Sequence, residues 1–296
     1  MDKMKLKKIF LIFIIFNITL ICIVLNVIIL NKFVKDRKFF KIENQTSIES
    51  TPRLSIINKI ECKNGKPPTR TSDDSINAIL QELQLKYNIC ISFFNSPSSY
   101  YSGHKFDQLG ESDLKRLGEY LEIFEVEFNK YPVEFIRNSN LKEVSIVKNN
   151  TVDNQKRAAV PDFKDEILFY DINALDVSTD YASYVLHHEF YHMIEEEFNG
   201  DVYYQDPEWL KFNLIEFSYK KSGAECNLNG TPKRMFGFVS GYAMCAPEED
   251  KAETFAYIMD SKLSDQLENY INNGDTIIKN KVEYLRANLK EKALFK

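Results

Sequence analysis

Histidine is scarce in this chain of 296 residues, which carries 4, and tryptophan is scarcer, with Trp209 alone. Basic charge is not in excess: 38 lysines and arginines face 43 aspartates and glutamates, for a net charge of -5. That excludes the basic footprint of a nucleic-acid binder. The 5 cysteines contain no CxxC pair, so a zinc–sulfur site of that kind is excluded as well. No internal repeat is present. Hydrophobic residues reach 44% and aromatics 13%, enough for a packed core, which excludes a chain disordered throughout.

Long uncharged apolar runs are also lacking, apart from one. Ile9–Leu30 reads IFLIFIIFNITLICIVLNVIIL and follows the basic MDKMKLKK of residues 1–8. At about 1.5 Å per residue, a helix of this length spans a hydrocarbon core of roughly 30 Å. The small-residue cleavage site of a secretory signal is missing, and Ile21 rather than a small residue precedes Cys22. Residues 9–30 therefore read as an uncleaved, single-pass membrane anchor. Lysine and arginine flank it on both sides, so the positive-inside rule gives little orientation. A short basic start before a long polar domain puts that domain outside the cytoplasm. The other four cysteines permit two bridges. Cys226–Cys245 would close a short loop and Cys62–Cys90 would tie the stem to the domain; four free thiols are the alternative.

Residues 31–75 are polar and broken by Pro52, Gly65, Pro67 and Pro68, and read as a stem. The folded domain is expected over 76–296. Within it, spacing predicts a helix over Ile76–Lys86, a strand in Tyr87–Phe94, and a helix capped by Ser112 with Leu114, Leu117, Leu121, Phe124 and Phe128 on one face. Strands are expected at Lys142–Val147 and Glu166–Ile172, and helices at Ser178–Phe198 and Pro247–Met259. A last helical stripe carries Ile277, Ile278, Val282, Leu285 and Leu289. This order gives an α+β fold with a small mixed sheet. Trp209 and Phe217 read as core.

Three of the four histidines fall in Val185–Phe198, VLHHEFYHMIEEEF. It contains His188-Glu189-Phe190-Tyr191-His192, an HExxH motif. On a helix, residues four apart share one face, so both imidazoles can reach one metal, and Glu189 lies about 100° around, within reach of a water on it. That is the chemistry of a zinc hydrolase, with the glutamate as the proton acceptor. A catalytic zinc takes three protein ligands. HExxHxxGxxH fails here, because Glu195 and Phe198 stand at the glycine and histidine positions. His104 lies upstream, and His187 points to another side of the helix as a structural or supporting residue. Glu195, Glu196 and Glu197 read as a solvated helix end. The carboxylates of PEEDKAETFAYIM remain: Glu249 and Glu253 lie four apart on one face, and Asp250 lies three before Glu253. One can bind the metal while another orients a metal-bound histidine. Small Ala252 and Ala256 would let this helix pack close to the first.

HHEFYHMIEEEF, EWLKFNLIEFSY and FGFVSGYAMCAPEEDKAETFAYIM together resemble the zinc-binding metallopeptidases of bacterial envelopes. More distantly they are similar to the anthrax lethal factor catalytic domain and the Pro-Pro endopeptidases. The resemblance implies a zincin-like domain of gluzincin type. It makes His188, His192 and Glu253 the zinc ligands, one zinc per chain, and Glu189 the general base and acid. It also implies a tyrosine upstream of the ligand glutamate that stabilises the oxyanion. Tyr242 is the nearest, 253 − 242 = 11 positions before Glu253; Tyr257 reads as packing. The expected function is a membrane-anchored zinc metallopeptidase acting on a peptide or protein. Substrate would lie along an edge strand above the HExxH helix, EILFYDI or a neighbour. A non-catalytic, zinc-stabilised surface domain and a hydrolase of cell-wall peptide cross-links are the competing functions.

Overall fold

Asp73 starts the first helix, α1 (Asp74–Tyr87): its carboxylate accepts from the backbone N–H groups of Ser75 and Ile76. Ile76, Leu80, Leu83 and Tyr87 then bury one face, and Asn88 ends the helix in the left-handed region at φ 57. The computed structural model describes Ile60, Cys62 and residues 70–93, 96–219 and 222–291. All belong to one unit, Ile56–Lys296. The basic start (1–8), the anchor expected over 9–30 and most of the stem lie outside the described residues. Among the described residues no helix is long and apolar enough to cross a membrane.

The chain continues through β1 (Cys90–Ser92), β2 (Lys105–Asp107), α2 (Leu114–Phe128), α3 (Val133–Arg137), β3 (Glu143–Val152), β4 (Gln155–Lys156), β5 (Ala159–Asp162) and β6 (Ile167–Asp171). It ends with α4 (Thr179–Asn199), α5 (Pro207–Leu210), α6 (Gly223–Asn229), α7 (Pro247–Met259), α8 (Ser261–Asn272) and α9 (Thr276–Glu291). Ser112 does not cap α2. It sits in a 3-10 turn, Glu111–Asp113, and Asp113 precedes the helix.

The sheet is mixed, ordered β1-β3-β6-β5, with β2 and β4 pairing the far half of β3. β1 and β6 run parallel to β3, and β5 runs antiparallel to β6. Alternation along β3 and β6 sorts side chains to two faces. Val144, Ile146, Leu168 and Tyr170 face α2 and α4, packing with Leu121, Phe124, Leu186 and Phe190. Val147, Phe169 and Val160 of β5 form a second layer with Phe106 and Val152. EILFYDI is thus an interior strand, and the edge is its neighbour β5. Asp171 N–H donates to Ala158 O at 2.9 Å, and Ala159 stands opposite Tyr170. Antiparallel alternation therefore turns the backbone groups of Ala159 and Pro161 to the open side. Proline has no N–H, so Ala159 supplies the donor there.

Two disulfides are present, Cys62–Cys90 and Cys226–Cys245, with Cα separations of 5.2 and 6.2 Å. The first holds Ile60 and Cys62, which fall in the expected stem, against Leu85. Trp209 is fully buried as expected, and Phe217 packs half-buried on a C-terminal cluster that includes Phe238, Tyr257, Ile278 and Val282.

A buried ion pair ties that C-terminal region to α7. Lys281 Nζ donates to Asp250 Oδ2 at 2.7 Å and to Gly237 O at 2.9 Å. Trp209 Nε1 and Tyr219 OH donate to the same oxygen at 2.9 and 2.6 Å. Removing one partner of such a pair strands the other charge in the interior. Lys281→Met is therefore expected to cost about 3–5 kcal/mol, read from the denaturant midpoint of the full-length chain. A cost under about 1 kcal/mol, the scale of a surface pair, would mean that the hydroxyl and indole donors suffice.

Candidate metal centre

Helix α4 is apolar on most of its circumference. Val185, Leu186, Phe190, Tyr191, Met193 and Ile194 are all buried, Ser178 caps its start and Gly200 its end at φ 73. His187 ties it to α2. Its Nε2 meets Glu127 Oε2 at 2.6 Å and its Nδ1 meets Tyr131 OH at 2.5 Å, on the side away from the other two histidines. A helix clamped this way presents His188 and His192 in fixed positions. Their Nε2 atoms lie 3.3 Å apart.

The third corner comes from the first turn of α7. Pro247 begins this helix, and Ala252 and Ala256, both fully buried, allow α7 to lie close to α4. Glu249 Oε2 stands 3.1 Å from His188 Nε2 and 3.6 Å from His192 Nε2. Zinc bonds of about 2.0–2.1 Å in a tetrahedron set ligand atoms about 3.3–3.4 Å apart. The triangle has that size, and its donors are the two imidazoles and one carboxylate that zinc favours. Two nitrogen lone pairs at 3.3 Å also repel unless a proton or a metal ion lies between them.

Glu253 does not join this triangle. One turn deeper and 2% exposed, its Oε1 lies 3.0 Å from His188 Nδ1, the nitrogen behind the ring. Tyr184 OH also bonds Oε1, and Ser240 Oγ donates to Oε2 at 2.5 Å. The sequence reading put Glu253 with His188 and His192 as a ligand; the structure instead places its carboxylate behind the His188 ring and brings Glu249 to the two Nε2 atoms. Glu249 faces Nε2 and Glu253 orients the ring, because the half-buried cleft side of α7 is at Glu249. Burial pulls the His192 imidazole down, but the hydrogen bond and charge of Glu249 outweigh it and raise it to about 9. Burial pushes Glu249 up, and the hydrogen bonds of His188 and His192 outweigh it, holding the carboxylate well below its usual range. Glu249 thus stabilises positive charge on the His192 ring.

These groups open on a cleft of about 320 Å³. Glu189 lines it next to the two histidines, half-buried, and burial pushes its carboxyl up. Tyr242 lines it too, with its hydroxyl 3.1 Å from Glu249 Oε1. With Glu249 as the third corner, the tyrosine interval shortens to 249 − 242 = 7 positions. Ala159, Val160 and Pro161 of β5 form one wall.

His104 is elsewhere: it accepts from Ser98 N–H at Nδ1, 2.8 Å, and its Nε2 lies 2.8 Å from Asn150 Oδ1. Tyr257 packs in the C-terminal cluster as expected. Glu195 is not part of a solvated helix end; it is buried and paired with Lys251 of α7, which clamps the two metal-facing helices together below the site. Gly223 was not singled out in the sequence. A Cβ there would crowd Glu249 Oε1 and stand 2.8 Å from Tyr242 OH, so a side chain at this position would make these groups shift.

Comparison with curated proteins gives no match. A solved structure described as a "putative zinc-binding metallo-peptidase from Bacteroides caccae ATCC 43185" aligns over 75% of this chain and 88% of that one, at 17% identity and a TM-score of 0.47. The profile of a family described as "Putative zinc-binding metallo-peptidase" matches residues 111–295, a span holding His188, Glu189, His192, Tyr242, Glu249 and Glu253, and the chain belongs to that family.

Proposed function

We propose that this protein is a membrane-anchored zinc endopeptidase of gluzincin type, held by residues 9–30 with its domain outside the cytoplasm. The observation that carries the enzymatic reading is the triangle of His188 Nε2, His192 Nε2 and Glu249 Oε2, with sides of 3.1 to 3.6 Å, at the floor of a cleft that Glu189 and Tyr242 also line. His188, His192 and Glu249 would hold one zinc. When bound, zinc lowers the pKa of a water and polarises a carbonyl.

The chain's own residues do the rest. Glu253 fixes the His188 ring through Nδ1, which keeps the Nε2 lone pair aimed into the triangle. Glu189 accepts the proton of the attacking water and returns it to the leaving amine nitrogen. Tyr242 donates its hydroxyl to the carbonyl oxygen as that oxygen gains charge. Ala159 offers backbone N–H and C=O to an extended peptide along β5. The two disulfides suit an oxidising compartment, which supports the location outside the cytoplasm.

The full-length chain is expected to hold about one zinc and to cleave unfolded protein. A chelator should abolish cleavage, and added zinc should restore it. A chain that holds zinc but cleaves neither unfolded protein nor peptide would instead be a zinc-stabilised binding domain. Release of peptide from cell wall alone would make it a cross-link hydrolase.

A further inference from the structure

The cleft that holds the metal triangle is lined by Asp153, Glu189, Glu248 and Glu249, and by one lysine or arginine, Arg157. We infer that Arg157 makes this cleft selective for peptides that carry a carboxylate side chain on the C-terminal side of the cleaved bond; this rests on the peptidase reading above.

The hairpin that carries Arg157 is built tightly. Asp153 and Asn154 form its two-residue turn, both at positive φ (51 and 63), which matches the type I′ connection that suits twisted strands. Gln155 and Lys156 form β4, and Arg157 N–H donates to Asn150 O at 2.9 Å. The Arg157 backbone is therefore fixed two residues before Ala159, at the start of the edge strand. Its guanidinium donates to Gln155 Oε1 at 3.0 Å, a neutral partner, and makes no salt bridge among the described residues. The rest of the fork is left for the cleft.

A planar fork of N–H donors matches a carboxylate in a two-point contact. The acidic groups around it do not serve this purpose. Glu189 and Glu249 belong to the metal and the water, and none of the four forms an ion pair with Arg157 among the described residues. A peptide extending β5 antiparallel runs against the strand, so its C-terminal half passes the strand's beginning, where Arg157 stands. The opposite end of the wall is Pro161 and Phe163, neither of which offers a charge to a carboxylate.

The test is mass spectrometry of the fragments that the zinc-loaded full-length chain releases from a proteome-derived peptide mixture, followed by a matched peptide pair. Wild type should enrich Asp and Glu at one position C-terminal to the cut. A peptide with Glu there should be cleaved with about tenfold higher kcat/KM than the same peptide with Gln, the scale of one charged hydrogen-bond contact. Arg157→Gln should bring that ratio to about one, and Arg157→Glu should shift the preference to Lys and Arg, both with zinc content kept. Cleavage with no acidic enrichment overturns the inference and leaves the peptidase reading intact. So does an Arg157→Gln chain that slows both peptides equally, which would make Arg157 a hairpin or transition-state residue. A mixture left uncut, with zinc bound, takes down the peptidase reading and this inference with it.

Discussion

Glu249→Ala should purify folded and without zinc, whereas Glu253→Ala should keep zinc and hold it about 10- to 100-fold more weakly. The difference follows from which imidazole nitrogen each carboxylate meets. Glu249 Oε2 stands opposite both Nε2 atoms, at 3.1 and 3.6 Å, so its loss removes one of three protein donors and leaves two imidazoles at the cleft. Glu253 meets His188 at Nδ1, 3.0 Å away, and acts on the metal only through the ring it orients. Tyr184 and Ser240 remain to hold the space it leaves. A tenfold loss is about 1.4 kcal/mol, well below what a missing ligand costs. The measurement is metal content of the two full-length variants after dialysis against a graded zinc chelator, with an unfolding curve for each. If Glu253→Ala emerges empty and Glu249→Ala loaded, α7 sits one turn differently along α4 in solution and Glu253 is the ligand.

That one turn marks the limit of what the sequence carried. Local signals were enough for the HExxH helix, expected over Ser178–Phe198 and found at Thr179–Asn199. They were enough for α7 as well, which begins at Pro247 and ends at Met259 as its spacing predicts. Spacing left Glu249, Asp250 and Glu253, one to bind the metal and another to orient a histidine, and the family resemblance then pointed to Glu253. Spacing alone left the choice open, since Glu249 and Glu253 share a face and differ only by about 6 Å of depth. Depth is set by how α7 slides along α4, and that is fixed from far away in the chain. Asp250 is held by Trp209, Tyr219 and Lys281, and Glu195 finds Lys251. None of these pairs leaves a local trace, which is why Glu195 looked like one acid of a solvated run. β5 escaped for the opposite reason. AVPD is short and contains proline, which reads as a break, yet proline is tolerated where an edge strand has no neighbour for its missing N–H.

Glu189→Gln is expected to keep the fold and the zinc and to lower kcat/KM by about 10²- to 10⁴-fold, the range of one acid–base group. The substitution preserves the shape of the side chain and removes its capacity to accept and return a proton. Glu189 is outside the His188, His192 and Glu249 triangle, so the donors of the metal are untouched. It lines the cleft beside both histidines, where the water and the leaving nitrogen must pass. Zinc content, unfolding midpoint and peptide cleavage, measured on one preparation, separate the outcomes. Intact zinc with lost cleavage assigns the proton transfer to Glu189. Loss of zinc and stability together would make it a structural carboxylate of the helix. Unchanged cleavage would move the base elsewhere in the cleft, and Glu248, buried one residue before the third corner, would be the next carboxylate to replace.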